Sequence, residues 1–463
     1  MGRLVNEMKN MSLSQIAKVC QGIYYGDKDK SETEVTSITT DSRKAEDGCL
    51  FVAVKGERAD GHRFLPQVFE KGARGALVEV KPENQPGPYI LVDSTLQAVK
   101  DIAEYYRQQL PVKVVGITGS VGKTSTKEII ASVLAEKYKV LKTLGNFNNE
   151  LGLPLTVFRL REEHEIAVLE MGISDFGEMH RLSKVAKPDI CVLTNIGLCH
   201  LEFLKSRDGI LKAKSEIFDY IAEDGKIILN GDDDKLATIN EIKGITPIFF
   251  GVESGREVYA DHIIPRGLKG IQCEIHAGGE SFQAVVPIPG YHMVLNALAA
   301  TAVGRTLGLS MEEIKTGIEK LESLGGRFHI IETDTITIVD DCYNASPSSM
   351  KASLDVLKDA QQRKAAILGD MFELGEDAAL LHAEVGAYAA EHKIDLLICV
   401  GEMSKNMAQA AKEAGGCQEV VYAENLDCLT EVLPGLIKKG DTVLVKASHG
   451  MHFENVVEKL REL

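Results

Sequence analysis

The chain has 463 residues, 44% of them hydrophobic and 26% charged, with a formal net charge of −16. That length suits about three domains of roughly 100–200 residues each. The negative balance argues against a binder of nucleic acid or of an anionic membrane surface, because a phosphate backbone would be repelled.

At the start, MGRLVNEMKNMSLSQIAKV contains no uninterrupted apolar stretch, and nowhere do 18 apolar residues follow one another. The expectation is a cytoplasmic protein without integral membrane contact. Residues 1–110 then read as a compact α/β unit: a short helix at SLSQIAKVC, strands at VTSITT and LFVAVKG, a helix before GALVEV, and the polar stretch KPENQPGP. From Val112 onward, apolar strands (VKVVGIT, EIAVLEM, DICVLTNI, KIILN) alternate with helical segments, the pattern of a parallel sheet wrapped by helices. Residues 250–287 suggest an antiparallel excursion, and NALAATAVGRTLGLS a helix. After Gly325 and Gly326 a second alternation begins: TITIVDD, KAAILGD, DLLICVG, EVVYA and TVLVKAS read as strands of a doubly wound sheet. The domains expected are therefore 1–110, 111–325 and 326–463. Nine cysteines lie scattered without a C-x-x-C pair, which suits reduced, buried thiols better than a metal knuckle or a disulfide framework.

The stretch VVGITGSVGKTSTKE is a strand, a glycine turn and a helix start. The strict Walker spacing fails, since Ile117 stands five positions before Gly122. The context nevertheless suits a triphosphate: Gly119 and Gly122 leave backbone N–H groups bare at a helix N-terminus, flanking Ser120 and Val121. There Lys123 would neutralise phosphate charge and the Thr124 hydroxyl would reach magnesium, with Ser125 following. The plain alternative is a glycine turn with an exposed lysine. Ligands in open α/β sheets lie beyond the carboxyl ends of strands, so Glu170, ending EIAVLE, and His200, after DICVLTNI, are placed to converge on Lys123. Glu170 offers the oxygen that a hard cation prefers; His200 is a less usual magnesium ligand. Taken alone, Lys214 in ILKAKSEIF reads as a snorkelling surface lysine and NGDDD (230–234) as a solvated turn.

In order, GITGSVGKTSTKE, TLGNFNNELGLPLT, LEMG, TNIGLCHLE, AKSEIF, GYHMVLNALAA, GGRF, VDDCYNASPSSM and LVKASHGMHFE resemble the motifs of the ATP-dependent Mur ligases. With TTDSR and LFVAVKGERADGH, they resemble the MurF type over nearly the whole chain. The resemblance implies three domains: a small N-terminal α/β domain for the UDP substrate, a central P-loop ATPase-like domain, and a C-terminal Rossmann-like domain that closes over ATP and binds the dipeptide. It implies a monomeric ligase that joins D-alanyl-D-alanine to UDP-N-acetylmuramoyl-tripeptide through an acyl phosphate, using ATP and two Mg2+ ions, in peptidoglycan precursor synthesis.

Residue by residue, it implies that Gly119, Ser120, Val121, Gly122, Lys123, Thr124 and Ser125 hold the phosphates, and that Thr124, Glu170 and His200 serve the metals. Lys214 aligns with a lysine that related ligases carbamylate. Arg327 aligns with an arginine reaching the transferring phosphoryl group, Asn296 with an adenine contact and Asp341 with a ribose contact. Ser42, Arg43 and Lys55, with Asn146, Asn148 and Asn149 from the central domain, are implied in UDP-muramoyl binding; Tyr343, Asn344 and Lys446 are implied in dipeptide binding. Where the family often reads Lys-Gly-Ser-Arg, this chain has Lys446, Ala447, Ser448 and His449, and Met293 replaces a frequent asparagine. Other readings are a different Mur ligase or a folylpolyglutamate synthase-like ligase. A small-molecule kinase would share the phosphate loop, and a nucleotide switch would need a base-reading N-K-x-D, which is lacking.

Overall fold

The computed structural model describes residues 8–56, 59–84, 86–253 and 255–463. The first seven residues, Glu57 and Arg58 of LFVAVKGERADGH, Gln85 of KPENQPGP and Ser254 of the 250–287 stretch lie outside the described residues. Among the described residues, no helix is long and apolar enough to cross a membrane. All nine cysteines are free thiols; six are buried, while Cys428 is exposed.

Three sheets organise the chain. The first has five strands in the order Ile23–Tyr25, Tyr89–Leu91, Gly75–Val78, Cys49–Val52, Ser37–Thr39, parallel except for the antiparallel Ile23–Tyr25 edge. The two strands absent from the sequence reading are three residues each, too short to show periodicity. Helix Thr95–Gln108 follows, its Ser94 cap accepting from Gln97 N at 3.3 Å. Its apolar stripe (Ala98, Val99, Ile102, Ala103, Tyr106) is buried. The helix also ties this unit to the next, because the Tyr106 hydroxyl donates to Leu160 O at 2.8 Å and Arg107 Nε to Ala186 O at 3.2 Å.

The second sheet has nine strands: Glu280–Val286, Ile271–Ala277, Val258–Pro265, Ile248–Gly251, Lys226–Asn230, Ile190–Leu193, Lys113–Thr118, Ile166–Glu170, Val140–Lys142. Strands from Val140–Lys142 through Ile248–Gly251 pair in parallel. The expected antiparallel excursion is a continuation of this same sheet: Ile271–Ala277 pairs antiparallel with both Val258–Pro265 and Glu280–Val286, but the join from Ile248–Gly251 to Val258–Pro265 is parallel. Alternate residues of Lys113–Thr118 feed two cores, Val115 and Ile117 one side and Val114 the other. That explains a strand with no polar alternation, covered on both faces. Ile117 is 0% exposed, so truncation to alanine there should cost about 2–5 kcal/mol.

The third sheet runs His329–Glu332, Thr337–Asp340, Thr442–Lys446, Lys364–Gly369, Leu396–Val400, Glu419–Ala423, parallel beyond its antiparallel first strand. The α/β, three-sheet architecture with a doubly wound C-terminal unit agrees with the sequence reading.

Candidate active site

The decisive topological feature is that Lys113–Thr118 lies between Ile166–Glu170 and Ile190–Leu193. The chain order reverses here, and at such a switch point the carboxyl ends of the strands open a crevice. Helix Lys123–Leu134 starts from this crevice, with Gly122 at φ +80° as its cap and no side chain closing its first turn. The first N–H groups and the positive helix end are thereby left for a ligand. At Gly119 a β-carbon would lie 1.9 Å from Thr194 Oγ1, so only glycine fits.

Two residues that the sequence reading left aside brace this loop. Asn195 accepts from Val121 N at 3.0 Å through Oδ1 and returns Nδ2 to Val121 O at 3.0 Å. Thr194 Oγ1 also donates to Val121 O at 2.8 Å, and the Ser120 hydroxyl accepts from Gly197 N at 2.9 Å. Their position directly after the strand DICVL was the available signal. NGDDD, read as a solvated turn, proves to be a further brace: Asn230 is buried and donates to Thr194 O at 2.9 Å, while Asp233 accepts from Ile196 N at 2.8 Å.

Inside the loop, Lys123 Nζ donates to Gly119 O at 2.9 Å and Ser120 O at 3.2 Å, folding the ammonium over the glycine turn. The Thr124 hydroxyl donates to Glu170 Oε2 at 2.8 Å, and Asn148 Nδ2 to Glu170 Oε1 at 2.8 Å. Asn148 thus lies on the floor of the glycine-loop site. Glu170 is only 2% exposed, and Lys127, buried on the same helix and absent from the sequence reading, lies 3.9 Å from it. Lys127 also donates to Thr143 O at 2.9 Å.

Lys214 is the main departure from reading residues in isolation. It is 0% exposed and its Nζ has no hydrogen-bond partner, so the snorkelling reading is overturned. Helix Arg207–Ser215 points it inward, where burial and then the nearby Lys123 charge push its pKa from 10.5 down to about 8; Cys199 acts weakly the other way. His200, at φ +51°, places Nδ1 2.6 Å from Glu373 Oε2. That contact brings the third unit over the crevice, and it holds the Glu373 carboxyl below its usual pKa.

The other predicted residues divide into groups. Asn296 is buried next to the loop, accepting from Thr126 Oγ1 at 2.8 Å. Arg327 lays its guanidinium 3.9 Å over the Tyr343 ring, which stacks in turn on His449. Asp341 is bound by Lys446 Nζ at 2.5 Å, Ser353 Oγ at 2.7 Å and Phe328 N at 3.2 Å. Lys446 is 3% exposed and also donates to Asn344 O at 3.1 Å. Nearby His292 has a buried Nδ1 with no partner, and burial lowers its pKa. In the first unit Arg43 is exposed and paired with Asp41, Lys55 is exposed, and Ser42 O accepts from Lys71. Asn146 is exposed, whereas Asn149 Oδ1 caps helix Gly152–Val157 by accepting from Gly152 N at 2.8 Å.

A protein of Bacillus subtilis named UDP-N-acetylmuramoyl-tripeptide--D-alanyl-D-alanine ligase is 39% identical over 461 residues, 98% of this chain and 99% of its own. The chain belongs to the Mur ligase family. Family models match as the Mur ligase family catalytic domain over 34–115, the Mur ligase middle domain over 117–304 and the Mur ligase glutamate ligase domain over 326–449. The crystal structure of MurF from Acinetobacter baumannii aligns with a TM-score of 0.89 at 34% identity, covering 99% of this chain and all of that one. MurF ligase from Thermotoga maritima, solved in complex with ADP, aligns at 0.81 with 32% identity, covering 92% and 97%. Within this Mur ligase, the glycine loop and Lys214 fall in the middle-domain match, and the Arg327–Tyr343 pair in the C-terminal match.

Proposed function

We propose that the protein is the cytoplasmic, ATP-dependent ligase that joins D-alanyl-D-alanine to UDP-N-acetylmuramoyl-tripeptide for peptidoglycan precursor synthesis. The observation that carries this reading is the buried, unpartnered Lys214 amine beside Lys123, under a glycine loop that also holds the Thr124–Glu170 pair. A simple phosphate site needs no such amine. Near-end-to-end similarity to ligases of this name supports the choice of substrates.

In this reading the N-terminal domain, 1–110, takes the UDP substrate through Ser42, Arg43 and Lys55. The central domain, 111–325, takes ATP, and the C-terminal domain, 326–463, closes on both and supplies the dipeptide contacts. One oxygen of the tripeptide carboxylate attacks the γ-phosphorus, the bond to the β-phosphate oxygen breaks, and ADP leaves. The dipeptide amine then attacks the acyl carbon of the resulting acyl phosphate. Phosphate departs with that carboxylate oxygen, and the new amide nitrogen loses a proton to solvent. A free α-amino group titrates at about 7.7–8.0, so a strong dedicated base is unnecessary.

The chain's residues are suited to positioning and charge neutralisation, which phosphoryl transfer requires. Lys123 and the bare N–H groups after Gly122 hold phosphate oxygens, while Arg327 reaches the transferring group from the C-terminal side. Asn296 and Asp341 orient the nucleoside. The oxygen set of Thr124 and Glu170 fits Mg2+, which would neutralise developing phosphoryl charge when bound. The orphaned Lys214 amine suits carbamylation: carbon dioxide adds to the neutral nitrogen, a proton leaves, and a cation becomes a carboxylate-like oxygen donor.

The test is ADP release measured with each acceptor omitted, together with 18O placed in the tripeptide carboxylate. Dependence on both substrates and label in the released phosphate are expected. ADP formation that ignores either substrate, or unlabelled phosphate, overturns the reading.

A further inference from the structure

We propose that the solvent face of the hairpin formed by Val258–Pro265 and Ile271–Ala277 is a second metal site, of the imidazole-binding Zn2+ class, with Asp261, Glu274 and His276 as ligands and His262 at its rim. It is independent of the catalytic crevice.

The geometry begins with register. Asp261 pairs directly with Glu274, and Tyr259 with His276, so Glu274 and His276 stand two apart on one strand and share a face with Asp261. Directly opposed like charges destabilise a sheet, and a cation between the two carboxylates removes that conflict. One donor atom each from Asp261, Glu274 and His276 lies within 4.8 Å of the others. His276 Nε2 is 3.0 Å from Asp261 Oδ1, while His262 Nδ1 is 2.9 Å from that oxygen and 3.5 Å from Glu274 Oε2. Bond lengths of about 2.0–2.2 Å in a tetrahedron imply ligand separations of about 3.4 Å, so small adjustments would admit an ion.

His262 reaches this face for a definite reason. Adjacent strand residues ordinarily point to opposite faces, but the register shifts between Asp261 and Ile264, and His262 has φ +48°. A bulge re-aims a side chain in this way. Support continues outward: the Ser281 hydroxyl donates to Glu274 Oε1 at 2.8 Å, and the Tyr259 ring stacks on His276. The opposite face is rigid, since Cys273, Ile275 and Ala277 are buried in the core shared with helix Tyr291–Thr306. One imidazole with two carboxylates, and a second imidazole at the rim, suits a borderline ion such as Zn2+, whereas Mg2+ prefers oxygen alone. Bound there, the ion would clamp the hairpin across its weakest point, the bulge.

The test titrates chelator-treated full-length protein with Zn2+, and with Co2+ as a spectroscopic reporter, in excess Mg2+ to keep the catalytic crevice filled. One equivalent should bind, with visible Co2+ bands typical of nitrogen and oxygen ligands and a higher Tm. His276→Ala should lose that equivalent, and the milder Glu274→Gln should weaken it roughly tenfold or more, both with wild-type ligase turnover. Uptake unchanged in both variants, absence of binding by wild type, or a thiolate charge-transfer band reporting cysteine ligands would overturn the proposal.

Discussion

Replacing Lys214 with methionine separates what this side chain does for chemistry from what it costs in folding. Its pKa is depressed from 10.5 to about 8, first by burial and then by Lys123. About a quarter of the amine is then neutral at pH 7.5, against about one part in a thousand for an unperturbed lysine, a gain of roughly 200-fold in the form that adds carbon dioxide. The same shift opposes folding while both states are protonated. Below pH 8 the penalty is fully present; as pH rises from about 8 to 10.5 the folded protein sheds this proton before the unfolded chain does, and the penalty fades. Its size is on the order of 3 kcal/mol from the shift alone. In bicarbonate-free buffer at pH 7, Lys214→Met should therefore be more stable to urea than wild type, with the difference shrinking toward pH 10, yet ligase activity should be lost. Wild type should lose activity when bicarbonate is stripped, regain it on addition, and take up 13C label from bicarbonate at Lys214. A Lys214→Met protein that is less stable at pH 7, or an unlabelled wild type with full turnover in bicarbonate-free buffer, would refute the reasoning.

Gly119→Ala places a methyl group 1.9 Å from Thr194 Oγ1, a clash that should cost about 1–3 kcal/mol of stability. By shifting the loop it should also lower kcat/KM about 100-fold, and Thr194→Ala in the same chain should recover part of the lost stability by urea melt. Lys123→Ala should fold normally, since its ammonium bonds only to loop carbonyls, but should abolish measurable ADP release. Lys127→Met leaves the Thr143 carbonyl without its donor and Glu170 without its neighbouring cation; a melt should show about 1–3 kcal/mol lost, and metal dependence of turnover should shift to higher Mg2+. Lys446→Ala strips the half-buried Asp341 of its cation, a change worth about 1.5–3 kcal/mol, and should raise KM for ATP through Asp341 as well as KM for the dipeptide.

What the sequence revealed depended on how far each signal travels along the chain. The strands VKVVGIT, EIAVLE and DICVL could be read because burial on both faces writes an unbroken apolar run, and the end of EIAVLE put Glu170 near the glycine loop without knowledge of strand order, although its hydrogen bond with Thr124 was not foreseen. Strand order itself, with Lys113–Thr118 between its two neighbours, is a non-local fact, and so are the braces that Asn195 and Asn230 supply to the loop. Lys214 shows the limit most sharply: seven residues of helix around it, ILKAKSE, hold charges on several faces, so local pattern favours exposure, and only packing against other segments reveals a 0% exposed amine. The asparagines of TLGNFNN make the complementary point. Composition treats them alike, yet Asn148 holds the Glu170 carboxylate while Asn149 caps a helix. An amide has both donor and acceptor, so its role is assigned by whichever partner the fold delivers. A local motif can therefore announce that a phosphate site exists, while the tuning of that site comes from strands far away in sequence, where substitutions should alter rate without touching any motif.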